Sequence, residues 1–167
     1  MKKNTSKQIA LITGATSGIG EATAKKLANR FSLILCGRRE DKLISLSNSL
    51  SNSTSVKTLI FDVRNKNDVT DKLKGLEDEW KNIDILINNA GNAHGLDFIH
   101  EGDIEDWDMM IDTNVKGLLY VSREVLRIMV NNKKGHIIKD FSQIIKLIKF
   151  NLNNNDYLMI KGSNSTG

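Results

Sequence analysis

Proline is missing from this chain. None occurs in 167 residues, where an average usage near 5% would place about eight. The gap accompanies a drift toward Asn, Lys and Ile, clearest after residue 130, which sets the C-terminal segment apart. Cysteine is almost as scarce. Cys36 alone is present, which excludes an internal disulfide and every metal site built from several cysteines, and no metal site is expected. It lies in the apolar run "FSLILCG", where a buried thiol is the ordinary outcome, and a reducing compartment is expected. No run approaches the roughly 18 apolar residues of a membrane span. The run Ile9 to Ile12 behind Met1, Lys2 and Lys3 is too short for a secretory leader and ends in a Gly-rich turn. These gaps predict a cytoplasmic protein with no membrane partner. Charge of one sign is not concentrated either. The 24 basic and 20 acidic residues are interspersed, so the net charge of +4 reads as a solvated mixed surface, with no nucleic-acid partner.

What is present is enough for one domain, with 40% apolar residues. Short apolar runs alternate with longer helical patterns. Ile9 to Thr13, Ser32 to Cys36, Val56 to Phe61, Ile83 to Ile87 and His136 to Ile138 read as strands buried on both faces. Between them, helical spacing runs over 19–30 (Ile19, Ala22, Leu27), 40–50 (Leu43, Leu46, Leu50) and 68–80 (Val69, Leu73, Leu76, Trp80). A longer helix is expected over 104–130, with Asp103 as its cap. The alternation predicts an α/β fold, a doubly wound parallel sheet of the Rossmann type, with about five strands and helices on both faces. Residues 1–138 form this dinucleotide-binding domain. Residues 139–167 form a diverged tail, in which Ile144 to Leu152 fits a helix and a strand equally well, so the sheet is expected to be incomplete on its C-terminal side.

"ALITGATSGIGEA" follows the first strand and opens the first helix. Gly14 permits the tight turn, Gly18 lets backbone approach a pyrophosphate, and Gly20 lets the helix pack closely on the sheet. The helix start, Gly18, Ile19 and Gly20, offers N–H groups and positive dipole, and Thr16 and Ser17 add hydroxyls. After the second strand comes "CGRRE". A ribose 2′-hydroxyl calls for an acidic acceptor there, whereas the 2′-phosphate of NADP calls for guanidinium, so Arg38 and Arg39 predict NADP over NAD.

The T-G-x-x-x-G-x-G spacing, "FDVRN", "NIDILINNAG" and "MIDTNVKG" together resemble the short-chain dehydrogenase/reductase family, over residues 8 to 138. "CGRRE", "VRNKNDV" and "EDWDMMIDTNVKGLLYVSREVL" are most similar to its branch of NADP-dependent 3-hydroxy acid and serine dehydrogenases. The resemblance implies that Asp62, with Val63 beside it, meets the adenine amino group. It implies that Asn89, Ala90 and Gly91 lie beside the adenosine and ribose, and that Asn114 belongs to the catalytic centre. It implies an NADP-dependent oxidoreductase that moves a hydride between the nicotinamide and a small hydroxy or carbonyl compound, and a homo-oligomer.

In that family a Tyr exchanges a proton with the substrate oxygen, and a Lys one helical turn later stabilises its phenolate. Ser142, Tyr157 and Lys161 supply Ser, Tyr and Lys in the right order. The spacing between Ser142 and Tyr157 is stretched, and Leu158, Met159 and Ile160 stand where the family has small residues. A second alignment treats the segment after Ile138 as an insertion. "GSNSTG" then matches the family's serine loop, so the orienting serine is Ser163 or Ser165. The alternative function is a truncated, catalytically inactive remnant that at most binds the dinucleotide.

Overall fold

A computed structural model of the chain describes residues 7–95, 97–133 and 158–161. Five parallel strands form one sheet in the order β3-β2-β1-β4-β5. They are β1 (Gln8–Thr13), β2 (Phe31–Gly37), β3 (Val56–Ile60), β4 (Ile83–Asn88) and β5 (Leu158–Lys161). The helices are α1 (Gly18–Leu27), α2 (Glu40–Leu50), α3 (Lys66–Lys74), α4 (Ile104–Ile111) and α5 (Leu118–Asn131).

The strands are apolar on both faces because both faces are covered. Ala10, Ile12, Leu33, Leu35, Ile85 and Ile87 point into one core with Ala24 and Leu27 of α1 and Leu43, Leu46 and Leu50 of α2. Ile9, Leu11, Ile34, Cys36 and Leu86 point into the other, with Val69 and Leu73 of α3 and Val121, Val125 and Met129 of α5. Period-two alternation thus divides continuous apolar runs between two cores. Burial also pushes the Cys36 thiol far above its ordinary value. Pairing of β1 with β4 slips between Ile9 and Ala10, which face Ile83 and Ile85. The skipped Asp84 accepts a hydrogen bond from the Ile9 N–H at 2.8 Å, so the irregularity leaves that donor satisfied.

Three expectations change. The helix expected over 68–80 starts earlier, at Lys66, because Asn65 caps it by accepting from Asn67 N–H and Asp68 N–H. It stops before Gly75, and Asp78–Trp80 form a separate 3₁₀ turn. The helix expected over 104–130 has the predicted Asp103 cap, which accepts from Glu105 N–H at 2.9 Å. It is interrupted, however, by a π turn over Asp112–Gly117. Gly117 lies at the closest approach to the loop after β3, where a Cβ would stand 2.7 Å from Val63 Cγ2.

The third change concerns the edge of the sheet. His136–Ile138, expected as the fifth strand, lies outside the described residues, as do Ser142 and Tyr157. The place beside β4 belongs to Leu158–Lys161, paired from Ile85↔Leu158 to Asn88↔Lys161. A strand from the segment expected to be a diverged tail therefore joins the domain's sheet. Among the described residues no helix is long and apolar enough to cross a membrane.

Candidate functional site: a dinucleotide cleft at the strand C-termini

The strand order reverses direction between β1 and β4, and the crevice outside the carboxyl ends of these two strands is the cleft. Its floor is the β1–α1 loop. Gly14 and Gly18 have φ of 64° and 54°, the left-handed region in which a Cβ is strained. Nothing lies within 4 Å of the space a Gly18 side chain would take, so the backbone there is open to a ligand. Ser17 precedes α1 without making a side-chain cap, and the first intrahelical bond runs from Glu21 N–H to Ser17 O. The N–H groups of Gly18, Ile19 and Gly20 thus belong to the helix's unpaired first turn, which suits an anion.

The wall beyond the loop is the turn after β4, and Thr13 ties it to β1. The Thr13 hydroxyl accepts from Asn89 N–H and Ala90 N–H, both at 3.0 Å. The Asn89 amide returns the link, donating to Thr13 O at 3.1 Å and Gly14 O at 3.2 Å. Asn89 therefore shapes the phosphate loop itself as well as standing beside the ribose position. The threonine role was not read from the sequence, although the Thr-Gly pair was its visible signal.

Asn114 lies in the π turn, which swings it out of regular helical register toward this wall. Its Oδ1 accepts from Asn92 N–H at 2.9 Å and its Nδ2 donates to Asn92 O at 2.7 Å. One side chain thereby clamps the backbone that follows Gly91.

At the opposite wall, Arg39 reaches back from the end of β2 to the phosphate loop. Its Nη2 donates to Thr16 Oγ1 at 2.8 Å and to Ser17 Oγ at 2.9 Å. Arg38 stands 3.6 Å from the Asp62 carboxylate, which Arg64 grips from the other side through Nε and Nη2 at 2.7–3.1 Å. Arg64 is a member of the site that pattern reading missed, because nothing in "FDVRN" says that its side chain folds back onto Asp62. Burial alone would raise the Asp62 carboxyl, but the Arg64 hydrogen bonds and charge, joined by Arg38, outweigh it and hold the group below its ordinary value. A lowered folded-state value stabilises the protein above the unfolded value and is lost as pH falls through the folded one. The melting temperature of the wild type should therefore exceed that of Asp62→Asn at neutral pH, and the gap should close below about pH 4. A gap that persists into strong acid would refute the ion pair.

Cofactor residues read from sequence, Gly14, Thr16, Ser17, Gly18, Ile19, Arg38, Arg39, Asp62, Val63, Asn89, Ala90 and Gly91, all line this one cleft. Gly20 lies beneath it, against Gly14 and Asn89. Thr113 and Asn92 line it too and were not anticipated. The catalytic expectations fare differently. Asn114 adjoins the cleft, whereas Lys161 sits in β5, opposite Asn88. The Tyr-x-x-x-Lys proximity requires a helical turn, about 6 Å over four residues. Leu158–Lys161 run as strand, and Tyr157 lies outside the described residues.

The sequence profile of the short chain dehydrogenase family matches residues 8–148. The chain belongs to that family. The NADP-dependent 3-hydroxy acid dehydrogenase YdfG of Salmonella typhi is 44% identical over 131 residues, which are 78% of this chain and 52% of that protein. The crystal structure of serine dehydrogenase from Escherichia coli superposes with a TM-score of 0.72 at 43% identity, covering 78% of this chain and 60% of that one. A closed form of serine dehydrogenase complexed with NADP+ superposes with a TM-score of 0.72 at 44% identity, covering 78% and 52%. The chain spans about half the length of the curated relatives it matches.

Proposed function

We propose that this chain holds NADP(H) as the cofactor-binding part of an oxidoreductase acting on a small hydroxy or carbonyl compound, of the 3-hydroxy acid type. The observation that carries the reading is the placement of Arg38 and Arg39 on the cleft wall next to the phosphate loop. The residues fit the group. Guanidinium from Arg38 and Arg39 suits the 2′-phosphate, the open backbone at Gly18 suits the pyrophosphate, and Asp62 is an acceptor for the adenine amino group. When bound, the dinucleotide supplies or receives a hydride. The chain's own residues bind and orient it: Asn89 and Thr13 fix the loop, and Asn114 fixes the backbone after Gly91.

The candidates for the orienting serine, Ser142, Ser163 and Ser165, all lie outside the described residues. β5 is parallel to β4, so its carboxyl end at Lys161 lies at the same edge of the sheet as Asn88 and the cleft. Assembly with a second copy is part of this reading. Ile104, Ile111, Val115 and Leu119 recur at helical spacing along α4, the π turn and α5, and all four are exposed.

Calorimetric titration should give NADPH binding at least tenfold tighter than NADH binding. Equal affinities, or none, would defeat the assignment. Carbonyl-dependent NADPH oxidation by this chain should be the same in Tyr157→Phe, because the strand over Leu158–Lys161 departs from the helical turn that a Tyr-x-x-x-Lys pair requires. Loss of activity in the mutant would restore Tyr157 as proton donor.

A further inference from the structure

Among the described residues that line the cleft, one buried side-chain atom has no partner. Asn92 follows Gly91 in the turn after β4, and its main chain is held on both sides by the Asn114 amide. Asn92 is one of the residues that line the cleft. Yet its Oδ1 is buried with no hydrogen-bond partner. A buried acceptor left unpaired costs free energy, and natural structures keep few of them. The clamp on its backbone leaves the carboxamide little choice of position, while its terminal torsion is soft enough to turn toward the cleft at small cost.

The strand order says which part of a ligand it would meet. Across the cleft the sequence of strand ends is β2, β1, β4, carrying Arg38 and Arg39, then the phosphate loop, then Asn89 to Asn92. A dinucleotide with its 2′-phosphate on the arginines and its pyrophosphate on the loop extends its nicotinamide half toward β4. That half carries hydrogen-bond donors in its ribose hydroxyls and its carboxamide N–H₂.

We propose that the Asn92 carboxamide accepts a hydrogen bond from the nicotinamide riboside of the bound cofactor, and so is a binding residue outside the motifs that marked this cleft. The inference rests on the proposed NADP(H) reading. It extends that reading to the half of the dinucleotide that the phosphate loop and the arginines leave untouched.

The test compares wild type and Asn92→Leu by calorimetry with two ligands, NADPH and adenosine 2′,5′-bisphosphate, which lacks the nicotinamide half. Asn92→Leu should weaken NADPH about tenfold, the worth of one hydrogen bond, and leave the bisphosphate within about twofold of wild type. Its ligand-free melting temperature should stay level or rise, since an apolar side chain replaces an unpaired acceptor. The oxidised cofactor and its 3-acetylpyridine analogue, which has no carboxamide N–H₂, then separate the two donors: equal weakening of both points to a ribose hydroxyl, and weakening of the parent alone points to the carboxamide. Unchanged NADPH affinity, or equal losses for NADPH and the bisphosphate with a lowered melting temperature, would overturn the inference. Wild-type protein that binds neither ligand would instead defeat the NADP(H) reading, and the inference with it.

Discussion

Replacing Gly20 by Ala should cost the protein its dinucleotide and several degrees of melting temperature. A Cβ at Gly20 would stand 2.9 Å from the Gly14 carbonyl carbon and 2.5 Å from Asn89 Nδ2, and would press hardest on the Gly14 carbonyl oxygen. Two of these atoms are backbone, and the third ends a side chain that is held in place. The Gly14 carbonyl is loop backbone, and Asn89 Nδ2 is held by its bonds to Thr13 O and Gly14 O. Relief must come from lifting α1 off the sheet or from rebuilding the phosphate loop. Overpacking of this kind costs about 1–3 kcal/mol, which in a domain of this size lowers the melting temperature by roughly 2–4 °C per kcal/mol. Because the displaced parts are those that face the pyrophosphate, NADPH affinity should fall on the order of a hundredfold. Gly18→Ala is the control for stability of the ligand-free protein only, since its Cβ would enter the space left for the pyrophosphate. It meets no atom within 4 Å but has φ of 54°, so it should lose only about 1–2 kcal/mol of backbone preference. Thermal denaturation followed by circular dichroism and calorimetric titration read both effects. Equal melting temperatures of the two variants without ligand would show that close helix packing at Gly20 is not what shapes the loop.

The second large effect is on cofactor choice. Arg38→Asp combined with Arg39→Ser should reverse the preference, weakening NADPH by a factor of about 100 or more. Charge-assisted bonds to phosphate contribute roughly 1.5–3 kcal/mol each, and the double change removes both guanidiniums and adds a carboxylate. NADH should gain less than NADPH loses. Arg38 lies 3.6 Å from Asp62, so the new carboxylate faces an existing one and is in part repelled by it, with Arg64 left to balance the pair. Arg39 also bonds Thr16 and Ser17, and its loss frees two hydroxyls at the loop that both cofactors share. The ratio of dissociation constants for NADPH and NADH measures the reversal. An unchanged ratio would remove the arginines from the site.

Much of this cleft was legible because each part of it is a local pattern. A strand, the Gly14, Gly18 and Gly20 spacing and a helix occupy adjacent residues, and the chemistry of a phosphate loop is backbone chemistry that glycine positions announce. The Arg38 and Arg39 assignment was equally local, being a comparison of side chains at the end of one strand. Arg64, Thr13 and Asn92 were harder. Each acts through a contact whose partner lies elsewhere in the fold or in a rotamer that sequence does not display. Arg64 turns back on Asp62, Thr13 reaches 76 and 77 residues along the chain to Asn89 and Ala90, and Asn92 stands out only because its oxygen is unpaired.

The edge of the sheet shows where local pattern fails. "GHII" and "LMIK" are both short apolar runs, and hydropathy does not say which of them pairs with β4. Leu158–Lys161 hold that place in register with Ile85–Asn88. The same register makes Leu158–Lys161 a strand, where the bare Tyr-x-x-x-Lys spacing suggested a helical turn.

By itself, then, the sequence determined the strand and helix alternation, the two-sided burial of the sheet, the phosphate loop and the cationic end of the cleft, since all of these follow from periodicity and residue type over a few neighbours. Only the tertiary structure decided which segment completes the sheet, where the long helix opens into a π turn to present Asn114, and how Asp62 is shared between two arginines. Those outcomes depend on hydrogen bonds and contacts between residues far apart in the chain, and such pairings are chosen by competition among partners that no local window contains.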